Sequence, residues 1–225
     1  FGDNHLPRMQ MLLPAALMGG MSTIIMIAVA NFTVRLFNIA PFTFPFQVAS
    51  WIWMLAAQST FLYFPLKFPA PAVAFLAEDM SAALVGQDYA VDQVFTGILA
   101  GVAQVYFVGN AVSGAIILLG LALSSPITAT LAALGSALGC LFSMAMGTPL
   151  KPLTDGLYGY NPSLTAVAIG GMFFVPSIGS FLYATLACVL TTVLSAATAA
   201  GLGPVGMPAL TFPFTLASWM FICVG

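Results

Sequence analysis

The chain reads "TFPFQVASW" at 43–51 and "TFPFTLASW" at 211–219. Seven of the nine positions agree across a separation of 168 residues, and the phrase mixes Thr, Pro, Phe and Trp rather than repeating one common residue. Such a match marks an internal repeat. Each copy stands at the end of a proline-interrupted stretch, "IAPFTFPF" at 39–46 and "VGMPALTFPF" at 205–214, and runs on into apolar sequence. Proline removes a backbone donor and drives the residue before it out of the α region, so both copies predict a broken helix.

The surrounding composition says what medium the breaks occupy. Hydrophobic residues make up 61% of the 225 and charged residues 4%, against roughly a quarter charged in soluble domains. Residues 93–150 and 156–225 carry no Asp, Glu, Lys or Arg. At about 20 residues per bilayer crossing these stretches hold several crossings, and a removable leader of ~15–30 residues cannot account for them. The reading is an all-α, polytopic integral membrane protein. Net charge is −2 with four basic residues, which leaves no electrostatic footprint for nucleic acid. Cys140, Cys188 and Cys223 sit in apolar runs without metal spacing and read as buried reduced thiols. No metal or cofactor is implied.

Along the chain, apolar segments predict crossings at 11–34 and 48–64, then 111–123, 127–147, 178–200 and 210–224. A half-helix ends near Phe107 with a turn at Gly109 and Asn110, and the 12 residues from Leu164 to Val175 are too short to span. His5 reads as a solvated loop residue, and "ALGSALGC" at 133–140 as a small-residue surface for close helix packing. The repeat divides the chain into 1–66, the later part of a first repeat; 67–92, a linker that holds Glu78, Asp79, Asp88 and Asp92; and 93–225, a second repeat. The linker has a single basic residue, Lys67, which places it weakly outside by the positive-inside rule.

In hydrocarbon, irregular backbone persists only where protein or water covers it, and paired breaks in two halves point to a transport site. The polar groups at these breaks are neutral: Thr43, Thr211, Gln104, Asn110, Asn161 and carbonyls freed by proline. No carboxylate or guanidinium lies within a crossing, which disfavours ion or proton coupling. Phe44, Phe46, Phe107, Tyr160, Phe212 and Phe214 cluster at the same places. Flat rings framing oxygen acceptors suit a planar amide, although membrane Phe more often meets lipid or core, and membrane Thr often bonds its own helix.

With these motifs in view, the sequence resembles the urea transporter family. "MPALTFPF" at 207–214 is similar to its Leu-Pro-x-x-Thr-x-Pro-Phe signature, and "IAPFTFPF" keeps Thr43, Pro45 and Phe46 of it. "GVAQVYFVGNAVSG" and "GLYGYNPSLTAVAIGGMFF" resemble the Gln-containing and Gly-Leu-x-Gly-Phe/Tyr-Asn segments. The resemblance implies an inverted-repeat fold with discontinuous helices, a homotrimer in the cell membrane with one pore per subunit, and urea as solute. It places Gln104 and Phe107 at a pore mouth, Val105 and Leu164 at an apolar waist, and Thr43 and Thr211 at the centre. Phe46, Tyr160 and Phe214 join the lining, Tyr160 standing where Phe is more frequent. The Gln and Gly-Leu-x-Gly segments occur once here where the family has them twice, so the chain reads as beginning within an incomplete first repeat.

The expected function is facilitated passage of urea down its gradient, without cofactor or covalent chemistry. A water or ammonia channel is the nearest alternative, but "NPS" at 161–163 occurs once and no paired Asn-Pro-Ala motif exists. A non-conducting membrane fragment is a second alternative. An enzyme is disfavoured because no acid, base, nucleophile or metal cluster falls in the spanning regions.

Overall fold

A computed structural model describes residues 5–58 and 89–225. Among the described residues the chain is helical throughout, with no strand. The elements are α1 (His5–Phe37), α2 (Phe44–Gln58), α3 (Val91–Gln104), α4 (Ala111–Ser124), α5 (Pro126–Ala145), α6 (Leu150–Thr154), α7 (Tyr160–Val167), α8 (Ile178–Leu202) and α9 (Phe212–Val224). A π-turn, Ala168–Met172, extends α7, and a 3₁₀ turn, Gly203–Val205, extends α8. Most of the linker, 67–88, and the end of the crossing predicted at 48–64 lie outside the described residues.

Among the described residues, three apolar helical stretches are long enough to cross a bilayer: Ala16–Phe37, Pro126–Ala145 and Ile178–Val205. Together with the absence of charge from 93–150 and 156–225, they make this an integral membrane protein. The first is almost wholly uncovered, with Leu17, Ile24, Ile27, Phe32 and Leu36 all exposed, as expected where lipid replaces water as solvent.

Several boundaries differ from the sequence reading, and proline explains most of them. Helices α2 and α9 start at Phe44 and Phe212 rather than at 48 and 210, because Pro45 and Pro213 fall in the first turn, where the missing N–H has no helical partner to lose. Helix α7 starts at Tyr160, not Leu164, with Pro162 in its first turn. Helix α3 stops at Gln104, three residues short of Phe107, whose φ of 60° ends the helix. His5 belongs to the first turn of α1 rather than to a loop. Cys140 and Cys188 are buried free thiols as read, but Cys223 is exposed.

Helix α5 is the axis of the larger half and packs on α3, α4, α7 and α8. Its "ALGSALGC" stretch makes this possible. A Cβ on Gly135 would fall 2.4 Å from the Pro162 carbonyl oxygen, and one on Gly139 would fall 2.2 Å from that of Tyr158. Ser136 Oγ donates to the Ile98 carbonyl of α3 at 2.7 Å, and Ser163 Oγ of α7 donates to the Ala132 carbonyl at 2.9 Å. These neutral bonds join helices where apolar attraction between them is weak. Asn110, Ser125 and Ser177 cap α4, α5 and α8 with their side-chain oxygens, satisfying amides that the helix leaves open.

Candidate functional site

The two nine-residue copies meet, and they meet reciprocally. Trp51 Nε1 on α2 donates to the Pro208 carbonyl at 2.9 Å, while Trp219 Nε1 on α9 donates to the Ala40 carbonyl at 2.9 Å. Each donor and each acceptor lies 168 residues from its counterpart. The same exchange governs the rings: Phe44 stacks edgewise on Trp219 at 5.1 Å, and Phe212 lies against Trp51 at 5.4 Å. Contacts of the form i to j and j to i define a two-fold relation. The chain thus packs one copy on the other as if they were identical partners.

Backbone geometry follows the same pairing. Phe44 N donates to Pro41 O and Phe212 N to Ala209 O; Gln47 N donates to Thr43 O and Thr215 N to Thr211 O. Phe42 and Leu210, the residues immediately before the two threonines, hold φ of 46° and 50°. Left-handed backbone in a bulky residue persists only where its surroundings enforce it. For Leu210 the enforcers are visible: Tyr160 Oη and Asn161 Nδ2 both donate to its carbonyl, at 2.6 and 3.2 Å, and Asn161 Oδ1 accepts from Phe214 N at 3.3 Å.

On the two-fold, Thr211 Oγ1 donates to Thr43 Oγ1 at 2.8 Å. One turn along each helix stand Gln47 and Thr215, both fully buried. Thr215 Oγ1 is 3.1 Å from Thr43 Oγ1 and donates to the Thr211 carbonyl at 3.2 Å. Gln47 Nε2 reaches Thr43 and Thr211 at 2.9 Å and Thr215 at 3.1 Å. The result is a neutral cluster of three hydroxyls and one carboxamide, closed within the two copies and flanked by Phe42, Phe46 and Phe214. Phe42 touches Phe214 at 5.2 Å and Phe173 at 5.3 Å.

The other predicted lining residues stand outside the cluster. Gln104 ends α3 and Val105 follows it, both half-buried, and Phe107 is exposed but meets Phe46 at 6.1 Å. That ring contact ties the Gln104 turn to α2. Gln104 Oε1 is buried and has no hydrogen-bond partner among the described residues. Leu164 is half-buried on α7. Phe46 also walls a cavity of about 410 Å³ between α1 and α2, with Met18, Met26, Trp53 and Leu210. Asn110 and Asn161 are committed to a helix cap and to the signature turn, so their amides serve the fold.

Gln47 and Thr215 escaped the sequence reading. The signal was present: they occupy one of the two mismatched positions in the repeat, four residues after the paired threonines and hence on the same helix face.

The chemistry available here is hydrogen bonding without charge. No His, Cys, Asp or Glu grouping fit for a metal exists among the described residues, and the one described ion pair, Lys151 with Asp155, is exposed on α6 and its C-cap.

A family model described as "UT: Urea transporter" matches residues 1–225. The chain is similar to urea transporter 1 of Ovis aries, with 30% identity over 192 residues, 85% of this chain and 48% of that protein. It is also similar to urea transporter 1 of Rattus norvegicus, with 32% identity over 183 residues, 80% of this chain and 46% of that protein. The chain thus spans about half the length of the curated relatives it matches. With its reciprocal signature copies, it belongs to the urea transporter family.

Proposed function

We propose that this protein conducts urea passively across a membrane, and that the solute crosses between the two signature copies. The observation that carries this reading is the threonine cluster: Thr43 and Thr211, one from each copy, meet at 2.8 Å on a two-fold, in uncharged surroundings. A solute that must shed water there needs acceptors for its N–H groups, and hydroxyl oxygens supply them. Each such bond contributes only ~1 kcal/mol in a membrane interior. Binding is then weak enough for release, as conduction requires.

The remaining lining is proposed on the same grounds. Gln104, whose side-chain Oε1 is buried and has no partner among the described residues, receives the solute at one mouth beside Phe107. Val105 and Leu164 form the narrow apolar waist, Phe46 and Phe214 present flat faces, and Tyr160 shapes the turn before Thr211. A charge-free waist denies ions a replacement for their hydration shell. The finer assignments are a homotrimer in the cell membrane, each subunit carrying its own pathway, with lipid against the exposed face of α1. No covalent step is invoked.

The test is stopped-flow urea uptake into proteoliposomes holding this chain and, in parallel, the gene product that carries it, beside empty liposomes and an equal gradient of a larger polyol. Fast uptake of urea but not of the polyol supports the reading. Folded gene product that is no faster than empty liposomes overturns it.

A further inference from the structure

The two copies differ at two positions, Gln47 against Thr215 and Val48 against Leu216. The first difference lies inside the threonine cluster and breaks its two-fold relation. A carboxamide nitrogen has two hydrogens, and here it faces three hydroxyl oxygens at 2.9, 2.9 and 3.1 Å. The nitrogen end is therefore saturated. The reversed amide would leave two buried donors unpaired instead of one acceptor, so hydrogen-bond accounting favours nitrogen towards the hydroxyls.

The oxygen end is the opposite case. Gln47 is 0% exposed, and its Oε1 is buried with no partner among the described residues. A buried acceptor left unpaired carries its full desolvation penalty, and proteins retain few such groups without a use. The neighbouring hydroxyls cannot relieve it: Thr211 donates to Thr43, Thr43 to Thr215, and Thr215 to the Thr211 carbonyl.

Resting on the urea reading above, we propose that Gln47 Oε1 accepts an N–H from the solute at the midpoint and so determines specificity for the amide class. Urea has an NH2 on each side of its carbonyl, so one can serve Oε1 while the other serves a threonine oxygen. The oxygen is enclosed, so the solute binds by parting the side chains around it. A methyl on each nitrogen removes one of its two donors and sets bulk beside the one that remains, which weakens the match.

Saturation curves for urea and N,N′-dimethylurea, taken by stopped flow on the gene product that carries this chain, test the assignment in wild type, Q47M and Q47T. Q47M keeps length without hydrogen bonding, and Q47T copies the residue of the other copy. The half-saturation concentration for urea is expected to rise roughly fivefold in both, the equivalent of one lost hydrogen bond, and the preference for urea over dimethylurea to narrow. Unchanged or lower half-saturation in folded variants overturns the proposal, as does failure of both variants to assemble, which marks Gln47 as a packing residue. Wild type without urea flux removes the urea reading, and this inference with it, before any variant is compared.

Discussion

Thr211 holds the centre of the cluster with a single proton, donated to Thr43, while accepting from Gln47. Thr211→Val keeps the shape and removes both functions. Urea flux is expected to fall roughly fivefold, the equivalent of one hydrogen bond, with assembly retained; stopped-flow uptake beside gel filtration checks this, and unchanged flux would exclude the oxygen from the pathway. Gln104→Ala is expected to cost flux more than stability, because the residue is half-buried at a turn and its Oε1 bonds nothing among the described residues. Comparing uptake with detergent melting decides it, and lower melting at normal uptake would make Gln104 a packing residue. At this scale the sequence was only partly readable. Thr43 and Thr211 were visible because the repeat doubled them, whereas Gln47 and Thr215 were hidden by the mismatch between them. Asn110 and Asn161 cap α4 and hold the signature turn, and the sequence does not separate amides used this way from those of a pathway.

The helices owe their boundaries to proline and their contacts to small residues. Crossings were legible from apolar runs, but α2, α7 and α9 each begin where a proline enters the first turn, a position that looks like a break in the sequence and acts as a start in the structure. Reciprocal contact between α2 and α9 has a measurable signature. Trp51→Phe and Trp219→Phe each delete one indole hydrogen bond of 2.9 Å and are expected to destabilise by similar amounts, about 1 kcal/mol each. Unfolding in mixed micelles measures both, and strongly unequal losses would contradict their equivalence. Gly135→Val on α5 places carbon against the Pro162 carbonyl at 2.4 Å or closer and is expected to cost about 3 kcal/mol, read as lower melting temperature and folded yield. The "ALGSALGC" stretch announced such packing in advance; its partner, the start of α7, was not legible, because no periodicity marks a helix of eight residues.

For the whole molecule, low charge set the medium, and the duplicated phrase set the architecture. What no local pattern revealed was the register between the copies, which depends on contacts 157 and 179 residues apart in the chain. The proposed pathway has no charged group among its described residues, and so no ion for a solute to travel with. Urea uptake into proteoliposomes is accordingly expected to be the same with and without an imposed proton gradient or membrane potential; acceleration by either would establish coupling and refute passive conduction.

The two-fold at the threonines has one more consequence. The signature centre is a palindrome in space: a half-turn about that axis presents Phe42 where Leu210 stood, Trp51 where Trp219 stood, and Thr43 where Thr211 stood. At this centre the chain reads nearly the same from either copy, and the side chain that tells the two apart within the cluster is Gln47.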